Sequence, residues 1–106
     1  MHAKIERRNM DRQWCKCEAN WSYFNKESSL KGRILNFSPG GSYLETASPV
    51  TPGATVLIRV LQCAEFMREH PKDLRSNAIA EVKWCREMKD SEEASYGVGV
   101  RYHFPV

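Results

Sequence analysis

An all-β fold, a six-stranded antiparallel barrel, is what this sequence predicts. Three observations carry the prediction. About six short segments alternate apolar and polar side chains with a period of two. Turn-forming Gly, Pro, Asn and Ser residues separate them. Only one short segment departs from this pattern toward a helical period. Closure into a barrel also removes the exposed sheet edges that an open arrangement would leave.

Residues 1–12 are polar, carry several basic side chains and hold Ile5 as a short apolar residue, so they read as a flexible arm. Residues 13–106 form the barrel, and the two parts together make a single domain. The first strand, 14–21, sets Cys15, Cys17, Ala19 and Trp21 on one face and Lys16, Glu18 and Asn20 on the other. A polar turn over 25–31 leads to the second strand, 32–37. Ser38-Pro39-Gly40-Gly41 follows, and Pro then Gly at the central positions suits a type II turn. The third strand covers 42–46. Pro49, Pro52 and Gly53 mark a loop before the fourth strand, 55–61, which sets Val56, Ile58 and Val60 against Arg59. In the fifth strand, 78–87, the alternation places Ala78, Ala80, Val82 and Trp84 inward and Glu81 and Lys83 outward. The sixth, 96–104, turns Val98, Val100 and Tyr102 inward and Arg101 outward. Gly97 and Gly99 lie on its other face, where another group can approach closely.

The exception is the stretch 62–70. Cys63, Phe66 and Met67 fall at helical spacing, and Pro71 stops the pattern. A short helix plugging one barrel end is the plain expectation, with a docking helix as the alternative.

At 106 residues the chain fits one domain, and 42% hydrophobic residues suffice for one modest core. Sixteen Lys+Arg against thirteen Asp+Glu give a net charge of +3. That is too weak for bulk nucleic-acid binding but compatible with a small anionic ligand. No secretory leader or membrane-spanning stretch is evident, so no membrane insertion and a cytoplasmic location are expected. In that compartment Cys15, Cys17, Cys63 and Cys85 read as reduced, small apolar side chains, and no metal or cofactor is expected. A metal or redox role for Cys15 and Cys17 is a minor alternative. His2, His70 and His103 are scattered, no nucleophile elbow or zinc-binding helix occurs, and the protein is not expected to be an enzyme.

Two short patterns stand out. Arg8-x-x-x-Arg12 alone says little: with nine arginines, roughly 0.7 such matches arise by chance. Asn36-x-Ser38-x-x-Gly41 is rarer, at roughly 0.04 chance matches. Together, in this order, they resemble the two-part signature of PilZ domains. Ala80–Trp84 and Gly97–Tyr102 are similar to that family's fifth and sixth strands, so the resemblance runs from about residue 6 to residue 104. It implies a six-stranded barrel that binds cyclic di-GMP in bacterial second-messenger signalling.

The ligand's chemistry suits these residues. Arginine pairs bidentately with phosphate oxygens and with guanine O6 and N7, and it stacks on base planes. Arg8 and Arg12 are the leading contacts, and Arg7 resembles members that bind a stacked pair of ligands. Asn36 can accept a guanine N–H through its carbonyl, where the aspartate common in the family accepts two. Ser38 offers a hydroxyl to the ligand or starts the turn. Gly41 admits the ligand to the backbone or satisfies turn geometry. The expected mechanism is a switch: ligand orders the arm over the barrel, and a downstream protein reads the new surface. The alternative is a PilZ-like interaction module that binds no nucleotide. Generic single-stranded nucleic-acid binding is a weaker rival. Many family members continue into a C-terminal helix, whereas this sequence stops at Val106. An open barrel end covered by 62–70 or by a second copy in a homodimer is the corresponding expectation.

Overall fold

The computed structural model describes residues 13–64, 74–89 and 95–103. Six strands follow in order: β1 (Gln13–Tyr23), β2 (Leu30–Ser38), β3 (Gly41–Thr46), β4 (Thr55–Cys63), β5 (Asn77–Met88) and β6 (Ser95–Tyr102). All pairings are antiparallel, and the strands close into a barrel in the order β1-β2-β3-β6-β5-β4. The arm expected over 1–12 lies outside the described residues. So does most of the helix expected over 62–70. Its first two residues, Gln62 and Cys63, instead complete β4.

The alternation read from the sequence builds the core. Cys15, Cys17, Ala19 and Trp21 of β1 face inward, as do Val56 and Ile58 of β4 and Val98, Val100 and Tyr102 of β6. Phe37 and Ile34 are fully enclosed. Trp21 shows how a polar group is accommodated there. Its indole Nε1 donates to Thr46 Oγ1 at 2.9 Å, and that hydroxyl donates to the Lys31 carbonyl at 2.7 Å. Three strands are thereby tied through one buried donor that would otherwise cost about 1–3 kcal/mol unpaired. The 47–54 loop tucks Val50 into the core, and Gly53 supplies the one left-handed backbone position among the described residues, with φ of 89°.

Three expectations need correction. Gly40 does not adopt positive φ, so the β2–β3 turn is not type II; a type I turn needs no such residue. Trp84 does not face the core. Val82 pairs with Val100 and Trp84 with Gly99, so Lys83 is an extra residue on β5. This β-bulge reverses the alternation and turns Trp84 outward, 40% exposed.

The third correction concerns the cysteines. Cys17 and Cys63 stand opposite each other on the β1–β4 ladder, with Cα atoms 3.9 Å apart, and are joined in a disulfide. They are not free thiols. Sequence spacing hides this pairing because β4 returns to β1 only when the barrel closes. Cys15 and Cys85 remain free. Burial pushes the Cys15 thiol up to about 11, so it stays protonated at neutral pH and is a poor nucleophile or metal ligand.

The disulfide joins positions 46 residues apart. Chain-entropy arguments put its contribution at about 2–4 kcal/mol. Cys63→Ser is therefore expected to lower unfolding free energy by about that amount in denaturant titrations, and reductant to do the same to the native chain but not to the variant. Equal stability of native chain and variant without reductant contradicts the cross-link.

Candidate functional site

One rung of the barrel gathers most of the candidate chemistry. Trp14 of β1 pairs with Asn36 of β2, Asn36 with Tyr43 of β3, Tyr43 with Gly99 of β6, and Gly99 with Trp84 of β5. Five strands thus contribute to a single continuous row.

On the β3–β6–β5 side of this row the outer surface forms a cleft of about 240 Å3. Ser38 and Gly41 of the β2–β3 hairpin and Lys83 and Trp84 of β5 line it, with Arg101 on β6, the strand between β3 and β5. The structure therefore brings together two of the six sequence-predicted site residues, Ser38 and Gly41. Asn36 lies on the adjoining rung position, is only 8% exposed and does not line the cleft. Arg7, Arg8 and Arg12 lie outside the described residues. Gln13, where β1 begins, pairs with Phe37, one residue before Ser38. β1 therefore begins at the hairpin end of the barrel.

Local contacts explain the motif residues. The Ser38 hydroxyl accepts the Gly40 N–H at 3.3 Å, closing the turn on itself. The Gly40 carbonyl accepts the Tyr102 N–H at 2.8 Å and fastens the turn to β6. At Gly41 an added Cβ would run into the Val100 carbonyl oxygen. Glycine is needed there because the β6 backbone lies against it.

The glycines of β6 have the same origin. A Cβ on Gly97 would meet the Tyr43 ring, and one on Gly99 the Trp84 indole. The close approach inferred from the sequence is thus made by the protein's own aromatic side chains. Tyr43 and Trp84 stack with centroids 5.7 Å apart and planes 27° from parallel. The Arg86 guanidinium lies 5.1 Å from the Trp84 ring centre, within cation–π range. Tyr43 is held in turn by its hydroxyl donating to Glu45 at 3.0 Å. Burial first, then this bond to Glu45, raises the Tyr43 phenol above its ordinary value, so it stays a neutral donor.

Lys83 and Arg101 bring positive charge to the cleft. Lys83 is 3.7 Å from Glu81, a half-exposed pair that restrains it little. The site therefore combines an aromatic plane, two cations and exposed hairpin backbone, a set that suits a nucleotide carrying phosphate. Trp84 was missed as a site residue because the bulge reverses its expected face, while Lys83, outward as expected, carried no sign in the sequence that it shares a cleft with the hairpin. The close approach expected at Gly97 and Gly99 was the usable signal, since something had to cover them.

The fold is thus a small closed barrel with an aromatic cleft that carries two cations. The PilZ domain family model matches residues 6–105. The chain belongs to that family, whose members are generally cyclic di-GMP receptors and act as binding or effector modules. Comparison with curated proteins and with solved structures gave no match. No helix among the described residues is long and apolar enough to cross a membrane.

The Gly99–Trp84 contact is open to a direct check. Gly99→Ala is expected to cost about 1–3 kcal/mol through overpacking. The cost should largely vanish in a Trp84→Ala background, giving a clear coupling energy in a double-mutant cycle. Additive costs contradict the contact.

Proposed function

We infer that this protein binds cyclic di-GMP in the cleft beside the β2–β3 hairpin and acts as a receptor for it. The observation that carries this reading is the convergence of Ser38, Gly41, Lys83, Trp84 and Arg101 on one cleft in a PilZ chain. A guanine stacks on the exposed indole of Trp84, already oriented by Tyr43 and Arg86. A phosphodiester takes charge-assisted contacts from Lys83 and Arg101. Backbone groups of the hairpin reach the ligand because Gly40 carries no side chain and has open space beside it.

The cleft, at about 240 Å3, is smaller than the 300–1,000 Å3 usual for a complete small-molecule site. It supplies half of the contacts. Arg7, Arg8 and Arg12 supply the rest in this reading, since the chain enters β1 beside the hairpin. Their guanidinium groups clamp the second guanine and the phosphates, and the arm orders as they do so. Asn36 acts from beneath, fixing the rung that carries Tyr43, rather than as the main base contact. A downstream protein reads the ordered surface.

Isothermal titration tests the reading. Saturable binding of cyclic di-GMP near or below about 1 μM is expected, with no heat from GTP or linear diguanylate. Arg8→Ala should lose about 1.5–3 kcal/mol of binding, roughly ten- to 150-fold in affinity. Trp84→Ala should lose about 1–3 kcal/mol. Absence of binding by the native chain rejects the receptor reading, and unchanged affinity in a variant removes that residue from the site.

A further inference from the structure

A second concavity, of about 490 Å3, lies on the outer face of β1, β4 and β5. It shares strand β5 with the nucleotide cleft but none of its lining residues. Two ladder rows build it. In one, Asn20 stands opposite Arg59 and Arg59 opposite Asn77. In the next, Ser22 stands opposite Leu57 and Leu57 opposite Ile79.

The chemistry of the rows is complementary to one kind of partner. Arg59 is exposed, and among the described residues it makes no ion pair. Among the described residues no aspartate or glutamate lines the groove. The neighbours of Arg59 along its row are neutral amides, whose N–H groups add donors without cancelling its charge. An anion placed there receives a guanidinium fork flanked by two amides. The adjoining row is aliphatic, with Leu57 37% exposed and Ile79 half-buried. A bare phosphate would leave that row uncovered. A carboxylate carried next to an aliphatic side chain satisfies both rows at once.

We propose that the β1–β4–β5 groove docks a segment of a partner protein in which an acidic residue adjoins a leucine or isoleucine, with Arg59 taking the carboxylate and Leu57 and Ile79 the aliphatic group. Its volume accommodates a few residues of such a segment. Because the two sites share no lining residue, partner and nucleotide bind together without steric competition. The docking claim stands whether or not the nucleotide binds.

The test uses the full chain, isotope-labelled, and a blocked hexapeptide of alternating leucine and glutamate, with the leucine–lysine peptide as control. Amide shifts should saturate at Asn20, Leu57, Arg59, Asn77 and Ile79 with the acidic peptide only. Arg59→Glu should weaken the acidic peptide at least tenfold and admit the basic one. Asn77→Asp, which places a carboxylate opposite Arg59, should weaken the acidic peptide as well and serves if Arg59→Glu does not fold. No shift at these residues at peptide concentrations up to several mM, where even a −4 kcal/mol interaction registers, overturns the proposal. So do equal shifts with both peptides, or unchanged acidic-peptide affinity in a folded variant.

Discussion

The candidate site depends on one rung of the barrel, and on the bulge that completes it. Without the bulge at Lys83, regular alternation along β5 would send Trp84 into a core already filled by Val82, Val98 and Val100. With it, the indole lies over Gly99 and stacks on Tyr43. The same rung continues through Asn36 to Trp14, beside the point where the chain enters β1. A single structural adjustment therefore sets an aromatic plane next to the hairpin motif. The glycines of β6 are the other half of that adjustment, since any side chain there would displace the rings.

Most of the fold was legible in the sequence, for a physical reason. A closed barrel buries one face of every strand, so the period of two is written into each segment. Cys15 through Trp21 and Val98 through Tyr102 followed it without exception. Trp84 did not, because a bulge leaves no mark on the alternation before its own residue. The Cys17–Cys63 bond was hidden for a different reason. It depends on the pairing of β1 with β4, which is a property of closure and not of any local stretch. The type II turn expectation failed because Pro-Gly is compatible with type I geometry once β6 fixes the turn through Tyr102 and Gly40. Of the site, the Asn36–Gly41 motif was legible as a pattern, but the burial of Asn36 and the aromatic platform were not.

The disulfide bears on the redox setting of the molecule. Structural disulfides persist in oxidising compartments, whereas reducing ones keep thiols free. Cys17 is fully enclosed and Cys63 partly so, at the seam where the barrel closes. The free thiol of Cys15, two residues from Cys17, is held protonated by burial and so is a weak partner for exchange with that bond. The cross-link thus belongs to the barrel's stability, while the proposed ligand cleft lies on the outer face of β3, β6 and β5.

The most direct test of this account is an amide chemical-shift map of the labelled chain with and without cyclic di-GMP. The account predicts that the largest shifts fall on Ser38–Gly41, Lys83, Trp84 and Gly99–Arg101, including the indole N–H of Trp84. Asn20, Arg59 and Asn77 should move little. Saturable shifts centred on any other face of the barrel, with the hairpin and Trp84 unmoved, would contradict it.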